Sequence, residues 1–338
     1  MRAFVGGAAF ALSRPIGVPQ SLLRHELATI WADVRRTRRT RRILAAMRAQ
    51  GALQTVDDLD IAARKRSSTV FILGSGSSVN ALTEADWAVI GGHDSIGFNY
   101  WLIHGFVPTF YFVELGTASA EEDRYIVHLL SRRLPDLTDM PIIVESKCWL
   151  RTDGVAIRPP SQLRSHLFFY APYYLRTTSA DVVAWVLHRC HSLWRHGSGD
   201  LQAMVHHRAS LGAVILFAFL AGYESIVLVG VDLNNSLYFW ETNSYILGGA
   251  AGPPTAQSGQ AAHPTVDPSQ NAEEVSIPID EYLRLLDSSV LRPSEVTLSV
   301  ANPTSRLVLF LPIYRGLSPG ADDHQPIDAS GADPRAHA

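Results

Sequence analysis

Thr69-Val-Phe-Ile-Leu-Gly-Ser-Gly-Ser-Ser78 decides how this chain is read. The β-branched and aromatic run Thr69–Leu73 fits a buried strand. Gly74-Ser75-Gly76-Ser77-Ser78 breaks the run with residues that permit a tight turn, and the helix-compatible segment Val79–Ile90 follows. A strand, a glycine turn and a helix start together make an anion cradle, because free N–H groups at the helix start point at the ligand. This reading gives a nucleotide-using protein. Two things stand against it: the turn lacks the third glycine of the dinucleotide fingerprint, and it lacks the Lys-Ser/Thr of a P-loop. A tight strand-to-helix turn with no ligand is the competing reading.

Working outward, Asp94–Asn99, Thr109–Val113 and Pro141–Val144 read as strands, with a helix over Ala118–Leu134. Leu167–Tyr170 reads as a short strand and Ala180–Arg195 as a helix. Gly212–Ala221 is apolar nearly all round, which predicts a buried helix that stops at Gly222. Ile226–Val229 is a buried strand with Gly230-Val231-Asp232 at its carboxyl end. Beyond it lie a helix over Ile277–Leu291, a strand over Val296–Val300, the turn Asn302-Pro-Thr-Ser305 and a last strand over Leu307–Leu311. Alternating strands and helices predict an α/β fold, a mostly parallel sheet with helices on both faces. Ligands of such sheets bind outside the carboxyl ends of the strands. Gly74–Ser78, Asn99 and Glu114 all follow strands and are expected to face one crevice.

The 338 residues, 47% hydrophobic and 18% charged, describe an ordinary globular protein with ample core. A net charge of −3 gives no global case for nucleic-acid binding, and none is expected. Cys148 and Cys190 show no CxxC spacing, which argues against a disulfide framework or a cysteine zinc site and fits a cytoplasmic compartment. No apolar run reaches the roughly 20 residues that span a bilayer. Met1–Leu12 is too short, and too soon followed by Arg14 and Pro15, for a signal peptide.

The ends differ from the middle. Residues 1–66 read as a basic helical extension, with a helix over Leu22–Gln50 that carries Arg35, Arg36, Arg38, Arg39, Arg41 and Arg42. Leu23, Leu27, Ile30, Trp31 and Val34 give it an apolar stripe. Such a helix suits peripheral contact with the inner face of a membrane, and equally suits a solvated helix packed on the domain or an arm between copies in a homo-oligomer. The Gly/Ala/Pro/Ser-rich segment Gly248–Ala262 predicts a lid over about residues 243–262. Residues 67–316 are read as the main domain and 317–338 as a disordered polar tail.

Several motifs come in one order: Gly74-Ser-Gly-Ser-Ser-Val79, Asn99 closing a strand, Arg208-x-x-x-Gly212 before a buried helix, Gly222-Tyr223, Gly230-Val-Asp232, a pliable loop, His263 with Asp267, and Asn302-Pro-Thr-Ser305. From Ser67 to Tyr314 this order resembles the bacterial sialyltransferases of glycosyltransferase family 42. The 6-hydroxymethylpterin diphosphokinase-like proteins share the Gly-x-Gly-x-Ser start and the Gly-x-Asp strand end. The resemblance implies a single Rossmann-like, GT-A-like domain. It also implies an inverting, metal-independent transferase with a CMP-activated sialic or related nonulosonic acid as donor and a cell-surface glycan, such as lipooligosaccharide, O-antigen or capsule, as acceptor. The residues agree on the metal: the only Asp-x-Asp is Asp58-Leu-Asp60, before the first strand, and a single leaving phosphate can be stabilised by hydrogen-bond donors alone. No cofactor or metal is expected.

The resemblance also assigns roles. Gly74, Ser75, Gly76, Ser77, Ser78, Asn99, Ser210, Gly230, Asp232, Asn302, Thr304 and Ser305 fall on donor-binding positions. Ser75 stands where the family carries Asn, and its shorter side chain puts direct contact in question. Arg208 matches a cation that faces phosphate or carboxylate. Tyr238 matches one of two tyrosines that stabilise the departing phosphate; the other position is Asn234, an amide in place of a phenol. His263 is the expected general base, because transfer requires a proton to leave the acceptor hydroxyl and histidine titrates in the useful range. His206 and His207 compete for that role. Plainer readings stand beside each: turn residues for Asn99 and Asn302, an ion pair for Arg208, a turn cap for Asp232. A magnesium-dependent phosphotransferase and a nucleotide-binding protein without turnover are the alternative functions.

Overall fold

The computed structural model describes residues 20–114, 120–137, 139–146, 161–191, 194–235, 237–242, 263–266 and 276–317. The expected lid, Asp267, Cys148, the Met1–Leu12 segment and the tail from Ser318 lie outside the described residues.

Among the described residues ten strands are formed, in chain order: β1 (Gln54–Thr55), β2 (Thr69–Leu73), β3 (Asp94–Phe98), β4 (Phe110–Val113), β5 (Ile142–Glu145), β6 (Leu167–Tyr170), β7 (Tyr173–Tyr174), β8 (Val205–His206), β9 (Ser225–Val229) and β10 (Thr297–Val300). Eight of them make one sheet in the order β1-β6-β5-β4-β3-β2-β9-β10, and β7 pairs with β8 apart from it. Every pairing between these strands is parallel. The helices are α1 (Gln20–Ala49), α2 (Glu84–Gly91), α3 (Ala120–Arg132), α4 (Ala180–His191), α5 (Ser210–Leu220), α6 (Phe239–Thr242) and α7 (Ile279–Leu286).

The period of two along each strand sorts the core into two layers. Val70, Ile72, Ile96, Phe112 and Leu228 point to the layer shared with α4, α5 and α7. Phe71, Leu73, Tyr111, Val113 and Val229 point to the layer shared with α2, α3 and α6. Both faces are covered, so the central strands are mostly apolar, as expected of a parallel sheet, with Asp94, Ser95, Glu145 and Ser299 as buried polar exceptions. Every residue of α5 is buried, and Gly222, at φ +82°, ends that run.

The N-terminal residues share this architecture. β1 extends the sheet beside β6, and α1 gives Ile30 and Val34 to one layer and Leu44 to the other. The Arg41 guanidinium donates to Ala171 O at 2.8 Å and to the Tyr173 hydroxyl at 3.0 Å. Part of the arginine run therefore serves packing rather than a solvated face.

Two expected elements differ. Val79–Ile90 is not one helix: a 3-10 turn over Ser77–Ala81 comes first, and α2 starts at Glu84 because Thr83 and Asp86 form a reciprocal cap. Leu307–Leu311 is not a strand: Ser305 caps a 3-10 turn over Arg306–Leu309, and Leu309 is 80% exposed.

The chain moves outward from β2 through β3, β4, β5 and β6, then returns to place β9 on the other side of β2. That reversal puts the crevice of the sheet between the carboxyl ends of β2 and β9.

Candidate active site

The two turns that leave β2 and β9 are locked together. Gly74 N donates to Val229 O at 2.7 Å, and Gly76 N to Gly230 O at 2.8 Å. A Cβ on Gly76 would stand 2.5 Å from Asp232 Oδ2, and one on Gly230, at φ +64°, 2.5 Å from Gly74 O. The glycines are thus required for backbone-to-backbone approach.

Asp232, buried at the end of β9, receives the Ser78 N–H at 3.0 Å, the Ser78 hydroxyl, and the Asn302 side-chain amide at 2.8 Å. Asn302 Oδ1 in turn accepts from Thr304 N and Thr304 Oγ1, both at 3.0 Å. Ser305 Oγ donates to Val231 O at 2.7 Å, and Asn234 Nδ2 to Thr304 O at 2.8 Å. These bonds join the ends of β2, β9 and β10 into one platform.

The platform differs from the free anion cradle read from the sequence. The N–H groups of Gly74, Gly76, Ser77 and Ser78 already have acceptors within the protein: Val229 O, Gly230 O, Leu237 O and the Asp232 carboxylate. The physical reason is that Asp232 supplies, from inside, the negative charge that a helix start attracts.

Tyr238 is held on this turn by a short antiparallel pairing: Ser77 N donates to Leu237 O at 3.1 Å, and Phe239 N to Ser75 O at 3.0 Å. Its ring stacks on Trp240 at 4.6 Å and 6°. Burial, then Glu241 and Glu122, raise the Tyr238 phenol above its ordinary range, so it stays protonated as a hydrogen-bond donor. The His263 ring meets Tyr238 edge-on at 6.2 Å. His263 Nδ1 lies 2.8 Å from Thr265 Oγ1, a contact that orients the ring. Burial lowers the His263 pKa below the usual imidazole value, and Asp232 opposes that shift in part. His263 is thus neutral at neutral pH, and its electrostatic partner is the platform's own carboxylate.

Arg208 is buried rather than a surface ion-pair partner. Its guanidinium donates to Pro264 O at 3.0 Å and Ser276 Oγ at 3.3 Å, and so fixes the turn that carries His263. In the sequence it reads as a direct anion ligand; in the structure it positions that turn. Asn99, at φ +49°, donates to Ser210 Oγ at 3.0 Å and accepts the Glu114 N–H at 3.2 Å. These two residues therefore clamp β3, β4 and the start of α5. His207 stacks on Tyr282 at 4.5 Å, with its ring nitrogens on Leu175 O and Ile277 O, and is a core histidine.

One group escapes a sequence reading. Glu114, Glu145 and His206 offer ligand atoms that all lie within 4.8 Å of one another, and all three residues are buried. The sequence shows no clustered carboxylates near the crevice; the parallel pairing of β4 and β5 makes a pair from residues 31 positions apart (145 − 114). Thr265 and the Trp240 stacking partner are also visible only in three dimensions.

Fold and site together define a parallel α/β protein with its crevice at the strand-order reversal and an imidazole and a phenol beside it. Neither the protein-family models nor the curated proteins include a match. Among solved structures, the chain is similar to the monofunctional alpha-2,3-sialyltransferase Cst-I from Campylobacter jejuni, at 14% identity over 75% of this chain and 83% of that one, with a TM-score of 0.40. It is also similar to the sialyltransferase CST-II in complex with a trisaccharide acceptor and CMP, at 12% identity over 72% and 85%, with a TM-score of 0.37. A third likeness is to an alpha-2,3-sialyltransferase from Campylobacter jejuni in apo form, at 15% identity over 75% and 83%, with a TM-score of 0.38.

Proposed function

We propose that this protein is an inverting glycosyltransferase that moves sialic acid, or a related nonulosonic acid, from a CMP-sugar to a hydroxyl of a cell-surface glycan. The observation that carries the reading is the meeting of His263 and Tyr238 beside the Gly76–Asp232 platform. The acceptor oxygen attacks the anomeric carbon, the bond from that carbon to the CMP phosphate breaks, and CMP departs. His263 takes the proton from the acceptor hydroxyl. The step needs a neutral imidazole; Thr265 orients the ring, with its hydroxyl 2.8 Å from Nδ1 and its backbone N–H donating to Nδ1 at 3.3 Å. Tyr238, a phenol at working pH, donates to the leaving phosphate, and the Asn234 amide assists in place of a second phenol. One phosphate leaves rather than a diphosphate, so the step is assigned to these donors without a metal.

The test is CMP release from a panel of CMP-sugars in EDTA, comparing wild type with His263→Ala. Release that collapses in the variant supports the reading. No release from any CMP-sugar with acceptors supplied would overturn it. One observation favours a second reading, nucleotide binding without turnover: the turn amides are already bonded within the protein. That reading predicts CMP binding with no release.

The acceptor glycan is assigned to a membrane-bound lipid carrier. Arg35, Arg36, Arg39 and Arg42 of α1 are exposed, as are Trp31 and Ile43. A basic face with apolar side chains suits an anionic bilayer surface. Among the described residues no helix is long and apolar enough to cross a membrane. Flotation with vesicles containing phosphatidylglycerol tests this: triple substitution of Arg35, Arg39 and Arg42 by Glu should abolish co-flotation, and unchanged flotation would refute it.

A further inference from the structure

We propose that Glu114, Glu145 and His206 form a binding site for one divalent transition-metal ion, built from residues other than His263 and Tyr238. Glu114 follows β4 and Glu145 ends β5. The register Val113↔Val144 places the two carboxylates opposite each other on neighbouring strands. Both are buried, Glu145 completely. Like charges directly opposite on a sheet repel, and burial removes the water that would screen them. His206 lies against this pair.

His206 enters from β8, with its ring nitrogen Nε2 3.0 Å from Glu114 Oε1. Two ligands bound to one ion at about 2.1 Å, with tetrahedral or octahedral angles, stand about 3.0–3.4 Å apart. The His206–Glu114 edge has that length. The ligand atoms of all three residues lie within 4.8 Å of one another, so the set has to draw in around a bound ion. A neutral imidazole and two carboxylates match the charge of a divalent ion. The set of one nitrogen and carboxylate oxygens suits zinc or manganese better than magnesium, which prefers oxygen ligands only. The outer contacts fit as well. Tyr174 donates its hydroxyl to Glu145 Oε1, and its ring lies 5.4 Å from that of His206, fixing two ligands at once. Asn99 holds the Glu114 backbone. The competing arrangement is a triad balanced by protons alone, with imidazolium against one carboxylate and the other protonated.

The ion would pin together the carboxyl ends of β4, β5 and the start of the α5 region. The transfer step is assigned to His263 and Tyr238 without it, so the two proposals fail separately. The experiment is metal titration of the full-length protein, dialysed free of metal, with zinc chloride and manganese chloride in separate calorimetry runs. Thermal melting is recorded with and without each ion. One equivalent bound, a higher melting temperature with the ion, and at least a tenfold loss of affinity in both Glu145→Gln and His206→Gln are expected. Binding of less than one equivalent, or variants that bind like wild type, would overturn the site in favour of the proton-balanced triad. If the variants do not fold, X-ray absorption of zinc-loaded wild type decides. A shell of oxygens with one imidazole is expected, and a shell with two or more imidazoles or any sulfur would refute it. CMP release that survives EDTA while the melting temperature falls would support both proposals at once. CMP release that requires zinc would overturn the separation between them.

Discussion

Ser78 gives both its backbone N–H and its hydroxyl to the carboxylate of Asp232, 154 residues away in sequence. This link makes the ends of β2 and β9 one rigid object. Replacing Asp232 with Ala strands the Ser78 N–H and the Asn302 amide without their acceptor, and should cost about 3 kcal/mol. Ser78→Ala removes only one donor and should cost about 1 kcal/mol. Gly76→Ala places a methyl against an Asp232 that three donors hold in place, and should cost about 1–3 kcal/mol through overpacking. Urea unfolding of the three variants gives the order; equal losses for Asp232→Ala and Ser78→Ala would show that the platform is not built around the carboxylate.

The pH profile of transfer should bear the mark of His263. A general base must be neutral. Because burial depresses its pKa, His263 stays neutral below the ordinary imidazole range, and the rate should hold level from pH 7 to below 6.5 before its acid limb begins. Asp232 partly opposes that shift, so Asp232→Asn should move the limb further to acid. His263→Ala should lower kcat by about 10²–10⁴. Initial rates of CMP release against pH check all three, and a limb that stays put in Asp232→Asn would sink the coupling.

Tyr238→Phe should reduce kcat by about 10² with little change in KM, since its hydroxyl acts on charge that develops only as the phosphate departs. The stacking on Trp240 keeps the ring in place without the hydroxyl, so the variant tests chemistry rather than folding. A donor sugar with a better leaving group should lose less. A KM effect with unchanged kcat would instead assign Tyr238 to ground-state binding.

The parallel sheet was legible because its two central strands are mostly apolar runs with a glycine just after them: Thr69–Leu73 before Gly74, and Ser225–Val229 before Gly230. Gly222 was legible as a helix stop for the same local reason. The Leu307–Leu311 segment was misread because five apolar residues suit a strand or a capped turn equally, and only the Ser305 cap decides. The bonds of the glycine turn were not legible at all. Whether an amide is free depends on where Asp232 arrives, and no local pattern around residues 74–78 contains that information. The Glu114–Glu145 pair was hidden likewise, since register alone brings it together.

Acid should destabilise the fold before its carboxylates titrate. His104 stacks on Trp101 at 4.5 Å, accepts the Phe106 N–H at 3.0 Å through Nδ1, and is pushed down to about 4 by burial and then by Arg133. His207, stacked on Tyr282, is pushed down to about 4 by burial, which outweighs the opposing contacts with Leu175 O and Ile277 O. The unfolded chain takes up these protons near the ordinary imidazole value of 6.5, whereas the folded chain resists until about 4. Between those limits the unfolded state binds more protons, so stability is present above pH 6.5 and is lost as pH falls through the window, by up to about 1.4 kcal/mol per pH unit for each histidine. Urea midpoints at pH 7.0, 6.0 and 5.0 should therefore descend. His104→Asn, whose side-chain oxygen can still accept the Phe106 N–H, should be less stable at pH 7.0 yet lose about half of the slope. A slope unchanged in that variant would mean that the histidine is already charged in the folded protein, and that the aromatic cluster of Trp87, Trp101 and Phe239 surrounds a cation rather than a neutral ring.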